Sequence, residues 1–232
     1  MARITVDVNE TWLEAARVVL GTDTKVATIN EALRIQALKA KAAEILAALD
    51  SVEMDYTGSA GSFRYGGGRD LSRLGELARE DAAAGPDTGF RQLMAGPVYL
   101  ADTSAYVVQA RDPQARARFA GLLTEGRLAA CQMTALEYFN NAPDPRAYEV
   151  LWTALHGQRW MDVTATAMSR ALEVHRMLAE RSQHRHFPLP DLIIAATAEE
   201  HGATVLHYDA DYDRIAAVTG QPAEWVAPRG SV

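Results

Sequence analysis

The sequence predicts an α/β protein: a mainly parallel central sheet flanked by helices, preceded by a small strand-helix-helix unit and a flexible tether. Three observations predict it. From Val98 onward, short apolar runs alternate with stretches of helical periodicity, the pattern of a layered parallel sheet. Residues 3–8 alternate strictly between apolar and polar and are followed by two helical patterns. Between these parts, residues 57–68 are rich in glycine and serine and hold no periodic pattern. A length of 232 residues exceeds the common single-domain size, so one domain of roughly 130 residues with a smaller appendage is expected. The divisions read as 1–55, 56–93 and 94–232.

In the first unit, Ile4, Val6 and Val8 share one strand face, while Arg3, Thr5 and Asp7 share the other. Asn9 is a good N-cap for a helix carrying Trp12, Leu13, Ala16, Val19 and Leu20, which Gly21 and Asp23 break. Thr24 or Thr28 then caps a second helix. Its apolar residues Ile29, Ala32, Leu33, Ile35, Leu38, Ala42, Ile45, Leu46 and Leu49 recur at helical spacing. Residues 70–84 form a further short helical pattern that ends at Gly85-Pro86.

Beyond the tether, residues 98–101 read as a buried strand ending at Asp102, followed by helical segments around 115–123. A strand over 128–132 leads to Glu137 at the start of a helix with Tyr138 and Phe139. An amphipathic segment covers 164–180. A loop holding Arg181, His184, Arg185 and His186, the densest basic stretch, precedes Asp191 and an apolar helix over 192–200. Gly202 introduces the strand 203–207, with Asp209 just beyond it. Sites in parallel sheets form outside the carboxyl ends of the strands, where Asp102 and Asp209 fall.

Hydrophobic residues make up 48% and charged residues 23% of the chain, an ordinary globular balance that argues against global disorder. The net charge of −7 argues against wrapping nucleic acid nonspecifically, although an acidic metal site contributes to such a balance. One cysteine, Cys131, excludes an internal disulfide and any multi-cysteine zinc site. No apolar run long enough to span a membrane and no signal-peptide core stands out, so a cytoplasmic protein without membrane partners is expected.

Four carboxylates brought within about 5 Å of one another repel by about 3 kcal/mol per pair at an effective dielectric near 20. Raised proton affinity relieves that strain, and so does a divalent cation; hard oxygen ligands favour Mg2+ or Mn2+. A cation held in this way activates water and stabilises charge on a phosphate, the chemistry of phosphodiester hydrolysis. Each acid taken singly reads equally well as a cap or solvated turn. A haloacid dehalogenase-like hydrolase also places an Asp after its first strand, but it needs an Asp-x-Asp that Asp102-Thr103-Ser104 lacks.

Four segments nevertheless occur in a telling order: Tyr99-Leu100-Ala101-Asp102-Thr103-Ser104, Thr134-Ala135-Leu136-Glu137, Leu189-Pro190-Asp191-Leu192-Ile193-Ile194, and Val205-Leu206-His207-Tyr208-Asp209-Ala210-Asp211-Tyr212-Asp213. Together they resemble the signature segments of VapC-type PIN-domain toxins over about 98–226. The resemblance implies an endoribonuclease that uses Mg2+ or Mn2+, with Asp102, Glu137 and Asp191 as ligands and Asp209 completing the site. Thr103, Ser104 and Asp211 would support it. Thr103 and Ser104 read equally as helix capping, and Asp213 lies where such proteins vary.

The order strand-helix-helix in residues 2–50, above all Gly21 to Arg34, resembles a VapB-type ribbon-helix-helix antitoxin. That implies a homodimer or higher homo-oligomer whose paired strands enter operator DNA, with Arg3, Thr5 and Asp7 at bases and Lys25 and Thr28 near phosphates. The charge departs from this, with six cations against five carboxylates in residues 1–41. A pure dimerisation arm is the other reading of the unit. In such antitoxins the tail wraps the toxin, which would make Phe63, Arg64, Tyr65 and Arg69 an inhibitory tail. Linker decoration is the bland alternative. The chain thus reads as antitoxin and toxin in one polypeptide, joined naturally or by construction, acting on an RNA substrate. The competing reading is a non-catalytic DNA-binding regulator in which the PIN-like half is a dimerisation or binding platform.

Overall fold

The computed structural model describes residues 7–55 and 96–231. Helix α1 spans Glu10–Leu20 and begins as expected: the Asn9 side chain accepts from the amides of Thr11 and Trp12 at 3.0 and 3.1 Å. It stops at Gly21, whose φ of 61° is the left-handed cap that glycine adopts without a Cβ penalty. Helix α2 spans Lys25–Asp50. Thr24, not Thr28, is its cap; Thr28 lies one turn inside and donates its hydroxyl back to the Thr24 carbonyl. Of the predicted strand over 3–8, residues 1–6 lie outside the described residues, and Asp7 and Val8 carry no regular structure. The tether over 56–93, its helical pattern and Phe63, Arg64, Tyr65 and Arg69 also lie outside them.

The second part alternates as predicted. After β1 (Tyr99–Ala101) come α3 (Thr103–Gln109), α4 (Pro113–Thr124), β2 (Leu128–Cys131) and α5 (Gln132–Phe139). Then follow α6 (Pro145–His156), β3 (Arg159–Met161), α7 (Ala165–Glu180), a 3-10 turn at His184–His186 and α8 (Leu189–Glu200). β4 (Thr204–His207), α9 (Asp211–Thr219) and β5 (Ala223–Trp225) complete the chain. The five strands form one sheet in the order β3-β2-β1-β4-β5, every neighbouring pair parallel. Parallel strands covered on both faces need apolar residues throughout, which is why the three central strands are buried along their whole length.

The two-residue side-chain period divides the core. Tyr99, Ala101, Leu128, Ala130 and Leu206 face a cluster with Tyr106, Phe119, Leu123, Leu151 and Leu155. Leu100, Ala129, Cys131 and Val205 face the opposite cluster with Leu178, Leu192, Ile194 and Tyr212. Ala42, Ile45 and Leu49 of α2 belong to the first of these clusters, so the second N-terminal helix shares its core with the sheet domain. The Asp50–Arg116 and Glu31–Arg159 ion pairs fix the same packing at two heights of α2.

Two placements differ from the sequence expectation. Glu137 is the sixth residue of α5 rather than its start, because the chain turns from β2 into the helix at Gln132 without a loop. Helix α8 begins at Leu189, two residues before Asp191; Pro190 is tolerated in that first turn, where its missing N–H is needed by no helical bond.

Candidate active site

The carboxyl ends of β1 and β4 hold the acids. Asp102 follows β1 directly and caps α3, accepting on Oδ2 from the Ser104 amide at 2.9 Å and from the Ser104 hydroxyl. The same hydroxyl accepts from the Tyr208 amide at 2.8 Å, so Ser104 ties the acid of β1 to the loop after β4. The other oxygen, Oδ1, accepts from the Tyr212 phenol at 3.0 Å. Asp102 is fully buried, and each of its oxygens is held by a donor of the fold.

Glu137 reaches the same end from α5. Thr134, one turn before it, is buried and donates to the Ala101 carbonyl at 2.9 Å, seating the helix on β1. Thr103 donates to Glu137 Oε2 at 3.1 Å. Both groups that read equally as caps in the sequence therefore act on acids: Ser104 on Asp102 and Thr103 on Glu137.

Asp191, fully buried in the first turn of α8, forms a tight group with Asp209 and Asp211: one carboxylate oxygen from each lies within 4.8 Å of the others. Asp209 Oδ1 accepts from the Asp211 amide at 3.0 Å, and Arg214 approaches Asp211 at 3.2 Å. Asp213 points elsewhere, to Trp225 Nε1 at 3.1 Å and toward Arg229. Three buried or half-buried carboxylates at this separation form an oxygen donor set of the kind hard divalent cations take.

Two residues that sequence reasoning passed over organise the cluster. The Tyr212 phenol is buried, and its proton is held far above the ordinary range by burial first, then by the charges of Asp102, Asp191 and Glu137. Of these acids Asp102 accepts its hydrogen bond, so the phenol remains a donor. His207 is fully buried; its Nδ1 accepts from the Asp209 amide at 3.1 Å, and its ring packs against Tyr212 and Trp225 at 5.0 Å each. Burial holds its pKa down at about 4 despite the nearby charges of Asp213 and Asp102, so the ring is neutral. Helical spacing signals Tyr212, one residue past Asp211, only once the site end of α9 is known.

Arg3 and Thr5 lie outside the described residues, and Asp7 is exposed. Lys25 pairs with Glu10 at 2.6 Å. Thr28 is 1% exposed, its hydroxyl set between the Thr24 carbonyl and the Thr22 hydroxyl. Among the described residues no helix is long and apolar enough to cross a membrane.

The PIN-domain family model matches residues 99–218. Ribonuclease VapC51 of Mycobacterium tuberculosis is 45% identical over 134 residues, covering 58% of this chain and 96% of that protein. Ribonuclease VapC18 of the same organism is 39% identical over 137 residues, covering 58% of this chain and 99% of that protein. Among solved structures, a DNA-bound VapBC from Salmonella typhimurium aligns over 56% of this chain and 99% of its own, at 17% identity and a TM-score of 0.47. That likeness is too loose to bear on function. The family match takes in more than half the chain and the two ribonucleases align over nearly their whole length, so the chain belongs to the PIN-domain family, among the VapC-like ribonucleases.

Proposed function

We propose that this chain is an Mg2+- or Mn2+-dependent endoribonuclease toxin carried in one polypeptide with its own antitoxin. The observation that carries the nuclease reading is the tight group of Asp191, Asp209 and Asp211, with Asp102 hydrogen-bonded to the adjacent Tyr212. Asp191, Asp209 and Asp211 would hold the cation. When bound, such an ion supplies an activated water and neutralises charge on the phosphate. The protein's part is positioning: Ser104 and Tyr212 fix both oxygens of Asp102, and Thr103 fixes Glu137, so neither acid must reorganise when the RNA phosphate arrives. Asp102, bonded to the Tyr212 phenol, and Glu137, bonded to Thr103, would orient the water or complete the cation's shell.

The division into 1–55, 56–93 and 94–232 belongs to the same reading, with the first part as a VapB-like unit. Trp12, Val18, Val26 and Leu33 are large apolar residues left 64–75% exposed on α1 and α2, which supports pairing of this unit with a second copy. Operator DNA would be read by that paired unit, through Arg3, Thr5 and Asp7 at the bases, with Lys25 beside them. Inhibition would come from Phe63, Arg64, Tyr65 and Arg69. Its geometry is favourable: the Asp55 amide donates to the Asn141 carbonyl at 2.9 Å, and Asn141 Nδ2 donates to the Glu137 carbonyl. The chain therefore leaves α2 beside the helix of Glu137. The eight residues from there to Phe63 reach up to about 28 Å.

The test is cleavage of a fluorophore-quencher RNA by the intact chain and by the chain cut within 56–93, each titrated with Mn2+. The cut chain should be at least ~100-fold faster, and Asp191→Asn should remove at least ~100-fold of that activity. Cleavage that survives Asp191→Asn or a chelator defeats the nuclease reading. Equal rates for intact and cut chain defeat autoinhibition alone.

A further inference from the structure

A second concentration of charge lies away from the carboxylates, at the seam where α2 meets the edge strand β3. A cleft of about 650 Å³ opens there, lined among others by Glu31, Arg34, Lys41, His156, Arg159 and Trp160, within the size range of small-ligand sites. Its charges do not balance. Glu31 Oε1 accepts from Arg34 Nη2 at 2.6 Å and also from Arg159 Nη2, so one carboxylate serves two guanidinium groups while Lys41 adds a third cation. Arg34 Nη1 is buried and meets no hydrogen-bond acceptor among the described residues. Burial first, and then the charge of Arg34, lower the proton affinity of Arg159.

A buried donor left without an acceptor is destabilising, and an anion with several oxygens relieves both that and the repulsion. One wall is aromatic. Trp160 stacks on His156 at 4.5 Å and 17°, and His156 stacks on Trp152 at 4.1 Å, forming a ladder of flat rings that ends at the cleft. Because the whole chain carries a net charge of −7, an anion is drawn here by this local excess and not by the protein at large.

We propose that this cleft binds a nucleotide unit, its phosphate held by Arg34, Arg159 and Lys41 and its base set against Trp160. The site goes beyond the nuclease reading and does not depend on it, since no metal ion takes part. A free nucleotide and one residue of an RNA strand offer the same chemistry.

The experiment uses the full chain in EDTA, which removes cleavage from the measurement. Uridine 5′-monophosphate is titrated by calorimetry and a short fluorescein-labelled oligouridylate by anisotropy. Arg34→Met and Lys41→Glu both leave the Glu31–Arg159 bridge in place, and unchanged circular dichroism melts confirm the seam. Each should weaken binding by ~10-fold or more, the effect of one charge-assisted bond, whereas Arg176→Glu on α7, remote in the chain and absent from the cleft lining, should change it by less than ~2-fold. Weakening with both probes assigns the site to free nucleotides; weakening with the oligonucleotide alone assigns it to an RNA strand. No binding of either probe, wild-type affinity in both variants, or an equal loss in Arg176→Glu overturns the proposal. A chain that binds in EDTA yet fails to cleave RNA with Mn2+ even after it is cut within 56–93 overturns the nuclease reading and leaves this site standing.

Discussion

Protonating His207 should weaken the fold, and the size of the effect follows from where the ring sits. The imidazole is fully buried, its Nδ1 accepts from the Asp209 amide, and it packs between Tyr212 and Trp225. A second ring proton would have to enter at Nδ1, facing an N–H. Burial accordingly lowers the folded pKa to about 4, against an ordinary value of about 6.5 in the unfolded chain. A depressed folded value means that the unfolded state takes up the proton first. The contribution is present above pH 6.5 and is lost as pH falls toward 4. Between pH 7 and pH 4.5 the loss from this one group comes to about 2 to 3 kcal/mol. Other groups titrate over the same range, so the measurement is a difference. Urea unfolding of wild type and His207→Gln at both pH values, with chelator present, isolates the ring. Gln removes the titration and keeps an acceptor for the Asp209 amide. Wild type should lose about 2 to 3 kcal/mol more than the variant; parallel losses would refute the buried neutral imidazole.

Two further outcomes follow from the packing. Tyr212→Phe removes a donor to a buried carboxylate oxygen, worth about 1.5–3 kcal/mol; calorimetry in chelator should show Tm lower by roughly 3–12 °C at this chain length, and an unchanged Tm would mean that Asp102 is held by Ser104 alone. Leu49→Ala opens a cavity in the cluster that α2 shares with β1, α4 and α6, so urea unfolding should show about 2–5 kcal/mol of lost stability in the transition reported by Trp225 on β5, whereas an unmoved Trp225 transition would show that α2 folds independently of the sheet.

The acids were legible because a parallel strand buried on both faces must be apolar, so the first charged residue after such a run marks the strand's end. Asp102 and Asp209 were found on that signal, and the helices of Glu137 and Asp191 on their spacing. What the sequence could not show is what holds those acids. Tyr212 and His207 look like ordinary members of a helix and a strand; their roles arise only when α9 is laid against α8 and β1, contacts made over 110 residues of separation in the Tyr212–Asp102 bond. The edge strands escaped for a different reason. β3 and β5 are three residues each and only partly buried, so Arg159-Trp160-Met161 and Ala223-Glu224-Trp225 carry no apolar run. Helix α2 shows the limit most clearly. Its stripe of Leu38, Ala42, Ile45 and Leu49 was evident as a face needing cover, but periodicity names no partner. The cover is the sheet domain itself, with Ile45 close against Gly157. Packing rather than the tether holds α2 there, because Ala42, Ile45 and Leu49 are buried in the cluster of the sheet domain and the Asp50–Arg116 and Glu31–Arg159 pairs flank them. Under the proposed autoinhibition, a cut within 56–93 would therefore act on the tail alone, while α2 stays as part of the domain's core.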